Sequence, residues 1–181
     1  MTQDRIAAPA GTPRDRVGES PVRDARNGTL DVEPEGNRLN EGAVAPDGGL
    51  VVGTMQSNLN PDGIMREMDR QSGAFCRASP EGPVSPLTEP VFGITNTLGR
   101  DEREGRMYIC DILARTIHAM VWPRKSEDAD PETVVRKGGS GMPDGSCLDA
   151  EFCRWNVRYG GGAPVRYATG GTEERIFSLP G

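Results

Sequence analysis

Four short segments of this sequence place oxygen-bearing side chains beside turns and strand-like runs. They are Glu19 in GESPV, Asn40 in RLNEG, Asn96 in ITNTL and Asp144 in MPDGS. Carboxylate and amide oxygens suit hard divalent cations such as calcium or magnesium better than they suit zinc or copper. If the fold brings these segments together, the sequence predicts a metal site built without histidine or thiolate ligands.

Taken one at a time, the same residues have simpler explanations. Glu19 is typical of a solvent-exposed acid, and Asn96 between two threonines is typical of a turn cap or a left-handed backbone position. Asp144 lies in a PDG triplet that also occurs at 46–48 and 61–63, and such triplets are ordinary turns. The residues alone therefore leave both the ligand role and the turn role open.

The composition predicts a turn-rich β protein. Hydrophobic residues make up 35% of the 181 residues, below the usual apolar share, whereas 24 Gly and 15 Pro supply many turns. The net charge of −6, without a dense lysine or arginine face, argues against a nucleic-acid partner. Four cysteines without a CxxC pair and a single histidine argue against a zinc cluster, so we expect buried, reduced thiols.

The N-terminal segment and the distribution of apolar residues bear on localisation. Residues 1–16 are polar and contain Pro and Gly, which predicts a disordered segment. They lack the apolar stretch of a signal peptide, and no run in the chain approaches the roughly 20 apolar residues of a membrane span. We therefore expect a cytoplasmic protein with no membrane partner.

Strand-like runs alternate with turns along the rest of the chain, and no amphipathic helix is predicted. The expected strands lie within 42–55, 73–82, 91–98, 106–112, 116–123, 145–161 and 164–171, with a charged turn at 99–105. Asn40, Asn96 and Asp144 are separated by 56 and 48 residues, and each precedes a strand–turn–strand unit. Propeller blades repeat at about 40 to 50 residues, so this spacing favours a β-propeller with about four blades' worth of sequence.

Other residues with chemical potential are better explained by structure. His118 lies in an apolar strand, TIHAM, which is typical of a packed or edge residue rather than a catalytic base. Ser146 and Cys147 follow Asp144, but one distant histidine cannot define a nucleophile triad. The glycine clusters at 138–141 and 159–164 lack the strand-to-helix context of a phosphate loop, so we interpret them as turns and close backbone approaches.

Four ordered motifs resemble the gluconolactonase/regucalcin (senescence marker protein) family. GESPVRDARNGTL resembles that family's GEGPVWD segment, and NRLNEGAVAPDGGLVVGTM resembles its RxND…PDG…GTM segment. ITNTL followed by MYICD resembles ISNGL…LYVAD, and PDGSCLDAEFCRWNVRYGGGAPVRY resembles PDG…DxxGxLWxAxxxGGxVxRY. The resemblance covers roughly residues 15–181. It implies an all-β six-bladed propeller, incomplete in this chain, with 17–181 forming a single partial domain.

The resemblance also implies a site and an activity. It implies that Glu19, Asn96 and Asp144 hold a divalent metal ion (Ca, Zn, Mg or Mn), and that Arg38 and Asn40 contact the substrate. Family members hydrolyse sugar lactones, so a small sugar lactone is the expected substrate. The metal would polarise the lactone carbonyl and acidify a water molecule that Asp144 activates as general base.

The chain departs from the family pattern in three ways. Only two residues separate Leu30 from Glu33 where the family has about another blade and a half, and the family continues beyond the position of Gly181. Arg23 and Arg100 stand where the family has tryptophan. The sequence therefore leaves two alternatives to a lactonase: a non-catalytic calcium-binding or regulatory protein, and an inactive truncated remnant. Unpaired sheet edges in a partial propeller also predict self-association.

Overall fold

The computed structural model describes residues 34–45, 47–80, 84–123 and 128–179, and these residues form strands and turns without a helix. The strands are β1 Asn37–Val44, β2 Leu50–Gln56, β3 Phe75–Ala78, β4 Val84–Pro86, β5 Thr95–Asp101, β6 Arg106–Asp111, β7 Thr116–Val121, β8 Glu132–Arg136, β9 Met142–Leu148, β10 Arg154–Tyr159, β11 Pro164–Tyr167 and β12 Glu173–Ile176. The all-β expectation is confirmed. Residues 1–16, Glu19 and Arg23 lie outside the described residues.

The strands form three four-stranded antiparallel sheets, each made from four consecutive strands. Sheet 1 contains β1–β4, sheet 2 contains β5–β8 and sheet 3 contains β9–β12. β5 packs against both β1 and β9, so the first strand of each sheet lies at the centre of the assembly. This is the arrangement of propeller blades around an axis, and the expected incomplete propeller is confirmed. We call β1, β5 and β9 the inner strands.

The core lies between neighbouring sheets, and β6 shows why the sequence forms it. Alternate side chains of a strand point to opposite faces. Met107 and Ile109 pack toward sheet 1 with Val51 and Phe75. The intervening Tyr108 and Cys110 pack toward sheet 3 in a second cluster that includes Val165 and Tyr167. Because β6 is buried on both faces, its sequence MYIC is a continuous apolar run rather than an alternating one.

A buried arginine joins sheets 2 and 3. Arg154 on β10 is 0% exposed, and its guanidinium lies 4.1 Å from the centre of the Tyr108 ring. Its terminal nitrogens donate to the carbonyl oxygens of Ala168 at 3.0 Å and Thr169 at 3.2 Å. Aromatic and carbonyl partners compensate the loss of water around this charge. A sequence pattern based on apolar periodicity does not reveal such a residue as part of the core.

Two details of the sequence prediction need correction. The strand expected at 91–98 begins later and continues through Asp101, into the predicted turn at 99–105. Asp101 ends the strand because its carboxylate accepts hydrogen bonds from the backbone N–H groups of Arg103 at 3.1 Å and Glu104 at 3.2 Å. Cys147 is exposed, contrary to the expectation of four buried thiols. The other three cysteines are buried, and none of the four, all within the described residues, forms a disulfide.

The glycine clusters form turns and close backbone approaches, as predicted. Gly139, Gly141, Gly160 and Gly162 all have positive φ angles. A Cβ atom at Gly141 would lie 2.5 Å from the backbone nitrogen of Gly161, so a larger residue at position 141 would push the segment before β9 away from the β10–β11 turn. Arg100, where the family has tryptophan, lies partly buried on β5, and its Nη1 atom is buried without a hydrogen-bond partner.

Candidate metal centre on the inner strands

Each inner strand contains a β-bulge at its candidate site residue. In β1, Leu39 pairs with Thr54 and Glu41 pairs with Gly53, which leaves Asn40 without a partner. A bulge inserts an extra residue, bends the strand and redirects a side chain. Asn40 is therefore placed by an irregularity in the strand and not by its regular alternation.

The same irregularity occurs in the other two inner strands. In β5 the register shifts directly after Asn96, because Thr97 and Leu98 together oppose the single residue Ile109. In β9 the register shifts at Asp144 and Gly145, which together oppose Val157. Three sheets thus carry a bulge at or beside Asn40, Asn96 and Asp144. The structure brings the last two together through adjacent inner strands that pack on each other.

Thr97 connects the two bulges on β5 and β9. Its hydroxyl donates to the Asp144 carbonyl oxygen at 2.6 Å and lies 3.0 Å from the Ser146 hydroxyl. Its backbone N–H donates to Asn96 Oδ1 at 2.7 Å. The residue is 1% exposed and has a φ of +60°. Positive φ is rare for a β-branched residue and costs about 1–3 kcal/mol, which the surrounding structure must offset.

Asn156 holds the Asp144 carbonyl from within sheet 3. Its Nδ2 donates to the Asp144 carbonyl oxygen at 2.9 Å and to the Ser146 hydroxyl at 2.9 Å. Arg158 Nη1 donates to Asn156 Oδ1 at 3.2 Å and fixes the amide in this orientation. A carbonyl oxygen has two lone pairs, and Thr97 and Asn156 occupy both of those on Asp144.

The side chain of Asp144, in contrast to its backbone, is uncommitted. Within the described part of the chain its carboxylate makes no hydrogen bond or ion pair. Asn96 is 7% exposed, and its Oδ1 accepts one hydrogen bond, which leaves a second lone pair. A carboxylate and an amide oxygen with free lone pairs form a donor set that fits a hard divalent cation. Glu19, the third expected ligand, lies outside the described residues.

A buried thiol lies next to the two candidate ligands. Cys110 pairs with Asn96 in the β5–β6 ladder, and its Sγ lies 3.7 Å from the Pro143 carbonyl oxygen. Burial raises the pKa of this thiol to about 12. Cys110 is therefore a neutral thiol in this structure and packs beneath the backbone of Asp144. The oxygen-only ligand set stays a prediction.

The expected substrate residues are engaged in internal hydrogen bonds. Asn40 Nδ2 donates to the Thr95 carbonyl oxygen at 2.8 Å, which ties sheet 1 to sheet 2. Arg38 donates to Asn40 Oδ1 at 3.2 Å and to Asn58 Oδ1 at 3.0 Å. The Arg38 Nε atom is buried without a hydrogen-bond partner. The structure thus connects Arg38 and Asn40 to each other and to the inner strands. The Nε–H of Arg38 is the one donor of that side chain that is buried without a hydrogen-bond acceptor.

A second cluster of potential ligands lies five residues beyond Asp144. Ligand atoms of Asp149, Glu151 and Cys153 all lie within 4.8 Å of one another. Asp149 Oδ1 accepts hydrogen bonds from the backbone N–H groups of Glu151 at 2.9 Å and Cys153 at 3.1 Å. Its Oδ2 accepts from Trp155 Nε1 at 3.0 Å and Arg166 Nε at 2.8 Å.

Arg166 already neutralises this second cluster. It forms ion pairs with Asp149, Glu151 and Glu174. The hydrogen bond from Arg166, together with those from Trp155 and the backbone, lowers the pKa of Asp149 to about 2. The cluster is therefore a closed turn of the β9–β10 connection. Its residues were not predicted, although the spacing of Asp149, Trp155 and Arg166 along the DxxGxLW-like motif carried a signal.

His118 agrees with its interpretation as a packed residue. Its Nε2 lies 2.8 Å from the Thr116 hydroxyl and its Nδ1 lies 3.1 Å from the Thr133 hydroxyl. Burial lowers the pKa of the imidazole. Both ring nitrogens are thus occupied by neighbouring strand residues, and the ring packs edge-on against Phe92 with centroids 5.8 Å apart.

Comparison with known proteins identifies the family to which this geometry belongs. Residues 17–181 match the SMP-30/Gluconolactonase/LRE-like region. The chain is 31% identical over 153 residues to L-arabinolactonase of Azospirillum brasilense, which covers 83% of this chain and 49% of the relative. It is 29% identical over 140 residues to human regucalcin, which covers 76% of this chain and 45% of the relative. The chain belongs to the SMP-30/gluconolactonase/LRE-like family.

Solved structures show the same fold. A regucalcin from Agrobacterium tumefaciens, described as a calcium-binding protein, superposes with a TM-score of 0.67 at 27% identity over 85% of this chain and 50% of that one. The chain spans about half the length of the curated relatives it matches. In the part that the structure describes, no helix is long and apolar enough to cross a membrane.

Proposed function

We propose that this chain is a divalent-metal-dependent hydrolase of sugar lactones. The observation that supports the proposal is the pair of adjacent inner-strand bulges, in which Thr97 donates both to the backbone carbonyl of Asp144 and to the buried amide oxygen of Asn96. Among the described residues, the Asp144 carboxylate has no partner. Relatives named L-arabinolactonase and regucalcin support the choice of substrate and of cation. Glu19 is proposed as a third ligand from the sequence motif alone.

The residues would divide the chemistry among them. A bound divalent cation supplies Lewis acidity to the lactone carbonyl and acidifies a water molecule. Asn96 and Asp144 would provide oxygen ligands, and the Asp144 carboxylate would take the proton of the attacking water. Arg38 orients the sugar through its planar guanidinium, whose Nε has no internal partner. Asn40 accepts a hydrogen bond from Arg38 and donates one to the Thr95 carbonyl oxygen on β5, so it links Arg38 to the strand that contains Asn96.

Lactone hydrolysis tests this proposal directly. The purified chain is assayed with L-arabino- and gluconolactones by proton release, with calcium, magnesium, manganese or zinc and after chelation. We expect hydrolysis that chelation abolishes, and a loss of about 100-fold or more in Asp144→Asn because a general base contributes 10²–10⁴-fold. Asp62→Asn is the matched control, since Asp62 occupies another PDG triplet in an exposed loop. Hydrolysis that survives both chelation and Asp144→Asn would overturn the proposal.

One observation favours a second candidate, a calcium-binding protein without catalysis. Asn40 Nδ2 donates a hydrogen bond to the Thr95 carbonyl oxygen, and both terminal nitrogens of Arg38 donate hydrogen bonds within the chain. A site that only binds an ion needs no further donors from these residues. Calorimetric calcium binding that Asp144→Asn abolishes, in a chain that hydrolyses no lactone, would support this candidate over the enzyme. A chain without a cooperative unfolding transition would instead support an inactive remnant.

A further inference from the structure

The backbone strain at Thr97 needs an explanation beyond packing. Its φ of +60° would be unstrained for glycine, and the ISNGL segment that this region resembles has glycine at the equivalent position. The side chain of Thr97 is nevertheless buried, with 1% exposure. A strained residue persists where its contacts over-determine the conformation. The contacts of the Thr97 hydroxyl should therefore show what the strain maintains.

The hydroxyl of Thr97 reaches across to the next sheet and holds the bulge in β9. It donates to the Asp144 carbonyl oxygen at 2.6 Å, while Asn156 holds the same oxygen from the other direction at 2.9 Å. The space beside Gly145 is open, because a Cβ atom there would meet nothing within 4 Å. The hydrogen bonds from Thr97 and Asn156 to the Asp144 carbonyl therefore restrain the plane of the 144–145 peptide where a side chain at 145 does not.

Thr97 also contacts the other candidate ligand. Its backbone N–H donates to Asn96 Oδ1 at 2.7 Å, which orients the amide oxygen. We propose that Thr97 is a positioning residue that fixes Asp144 and Asn96 relative to each other by clamping the β9 bulge from the neighbouring sheet. This inference rests on the proposed function, because it assigns Thr97 to the same metal centre. Partners that orient ligands in this way typically contribute 10–100-fold to metal affinity.

Three substitutions separate the hydroxyl from the strain. Thr97→Ser keeps the hydroxyl, Thr97→Val keeps the branched shape without it, and Thr97→Gly removes both the hydroxyl and the backbone strain. Thr116→Val is the matched control, because Thr116 is also buried in sheet 2 and bonds His118 instead of the site. Each protein is measured for manganese and calcium affinity by calorimetry, for thermal unfolding, and for amide hydrogen exchange in 142–148 without metal.

We expect the hydroxyl to determine both local order and affinity. Thr97→Val and Thr97→Gly should raise the Kd for manganese or calcium about tenfold or more and should accelerate exchange within 142–148. Thr97→Ser keeps the hydroxyl and Thr116→Val does not touch the site, so both should leave the Kd within about threefold of the wild type. This change is smaller than the tenfold or greater loss that follows when a ligand-orienting contact is removed. A Thr97→Gly protein that is at least as thermostable as wild type yet binds metal weakly would separate positioning from general stability.

The possible failures are distinguishable. Unchanged exchange in 142–148 for Thr97→Val overturns the clamp. Faster exchange with an unchanged Kd shows that the clamp exists but does not position the ligands, which overturns the inference and leaves the proposed function intact. A wild-type protein that shows protected amides in 142–148 but binds no manganese or calcium overturns the proposed function, and the positioning role for metal falls with it.

Discussion

Two aspartates on either side of one strand end show different uses of the same side chain. Asp144 lies at the bulge of β9, with its backbone carbonyl held twice and its carboxylate uncommitted. Asp149 lies just after β9, and both its carboxylate oxygens accept two hydrogen bonds each. Asp149 has two potential ligands within 4.8 Å, Glu151 and Cys153.

The difference gives the two acidic groups different expected roles under the proposed function. Around Asp149, Arg166 supplies the positive charge and the backbone supplies the donors, so a cation would have to displace them. Around Asp144 the protein fixes the backbone and leaves the carboxylate oxygens available. We therefore expect a metal ion to prefer the Asp144 carboxylate over that of Asp149.

The largest expected effect compares metal affinity after removing each carboxylate. Asp144→Asn should weaken manganese or calcium binding by about 100-fold, because it replaces a charged carboxylate with a neutral amide, and ligand charge strongly affects the affinity for a divalent cation. Asp149→Asn should leave the Kd nearly unchanged. Isothermal titration calorimetry of the two proteins under identical conditions gives both values, and the opposite order would reverse the comparison.

The same pair should show the reverse order in stability. Asp149→Asn removes the acceptor of Arg166 Nε and Trp155 Nε1 and leaves Arg166 with fewer partners, so it should lower the urea midpoint of unfolding. Asp144→Asn breaks no hydrogen bond of the described residues and should leave the midpoint near that of wild type. Equal midpoints for the two variants would show that the Asp149 turn contributes nothing to folding.

Acidification should remove the stabilising effect of Asp149 in a defined range. Its pKa is lowered from 3.8 to about 2 in the folded state, chiefly by the hydrogen bond from Arg166. The folded protein therefore binds fewer protons than the unfolded one, and stability decreases as pH falls. The contribution is fully present above 3.8 and is lost as pH falls toward 2.

Unfolding midpoints of wild type and Asp149→Asn, measured across that range, provide the check. The gap between the two proteins should narrow as pH decreases. A difference between the two midpoints that stays constant with pH would mean that the charge of Asp149 does not contribute to the stability of the folded protein.

The smallest expected effect uses the cysteines near the two aspartates as reporters. Cys147 is exposed between them, whereas Cys110 lies buried beneath the Asp144 bulge and Cys153 is buried at the Asp149 turn. Burial raises the pKa values of both buried thiols, which lowers their reactivity. Mass spectrometry after brief alkylation of the native protein should find label on Cys147. Comparable labelling of Cys110 would show that the inner-strand site opens in solution.

The sequence predicted the elements of the fold better than their irregularities. Turn triplets and apolar runs such as MYIC located the strand pairs, because these signals are local. The bulges at Asn40, Asn96 and Asp144 depend on the register with a neighbouring strand, which a single segment does not encode. The motif resemblance pointed to these residues without showing how the backbone presents them.

Residues that act between sheets were the least predictable. Thr97 bonds the carbonyl oxygen of Asp144, which lies 47 residues further along the chain. Arg154 packs on the ring of Tyr108 in the neighbouring sheet. An arginine in a strand is usually interpreted as solvent-exposed, and only the packing of two sheets shows that this one is buried. The threonine at a glycine position of the ISNGL-like motif was a visible signal, since a side chain there must either be strained or have a partner.

The three bulges also have a consequence for how such a site can diversify. Each one delivers a side chain from a different sheet, and each sheet completes its own hydrogen-bond ladder on both sides of the irregularity. Asn40, Asn96 and Asp144 do not belong to the apolar layers that hold the sheets together. If Asn96 and Asp144 hold a metal ion as proposed, the charge and hardness of each ligand can change one position at a time, so selection could act on ion preference separately from folding.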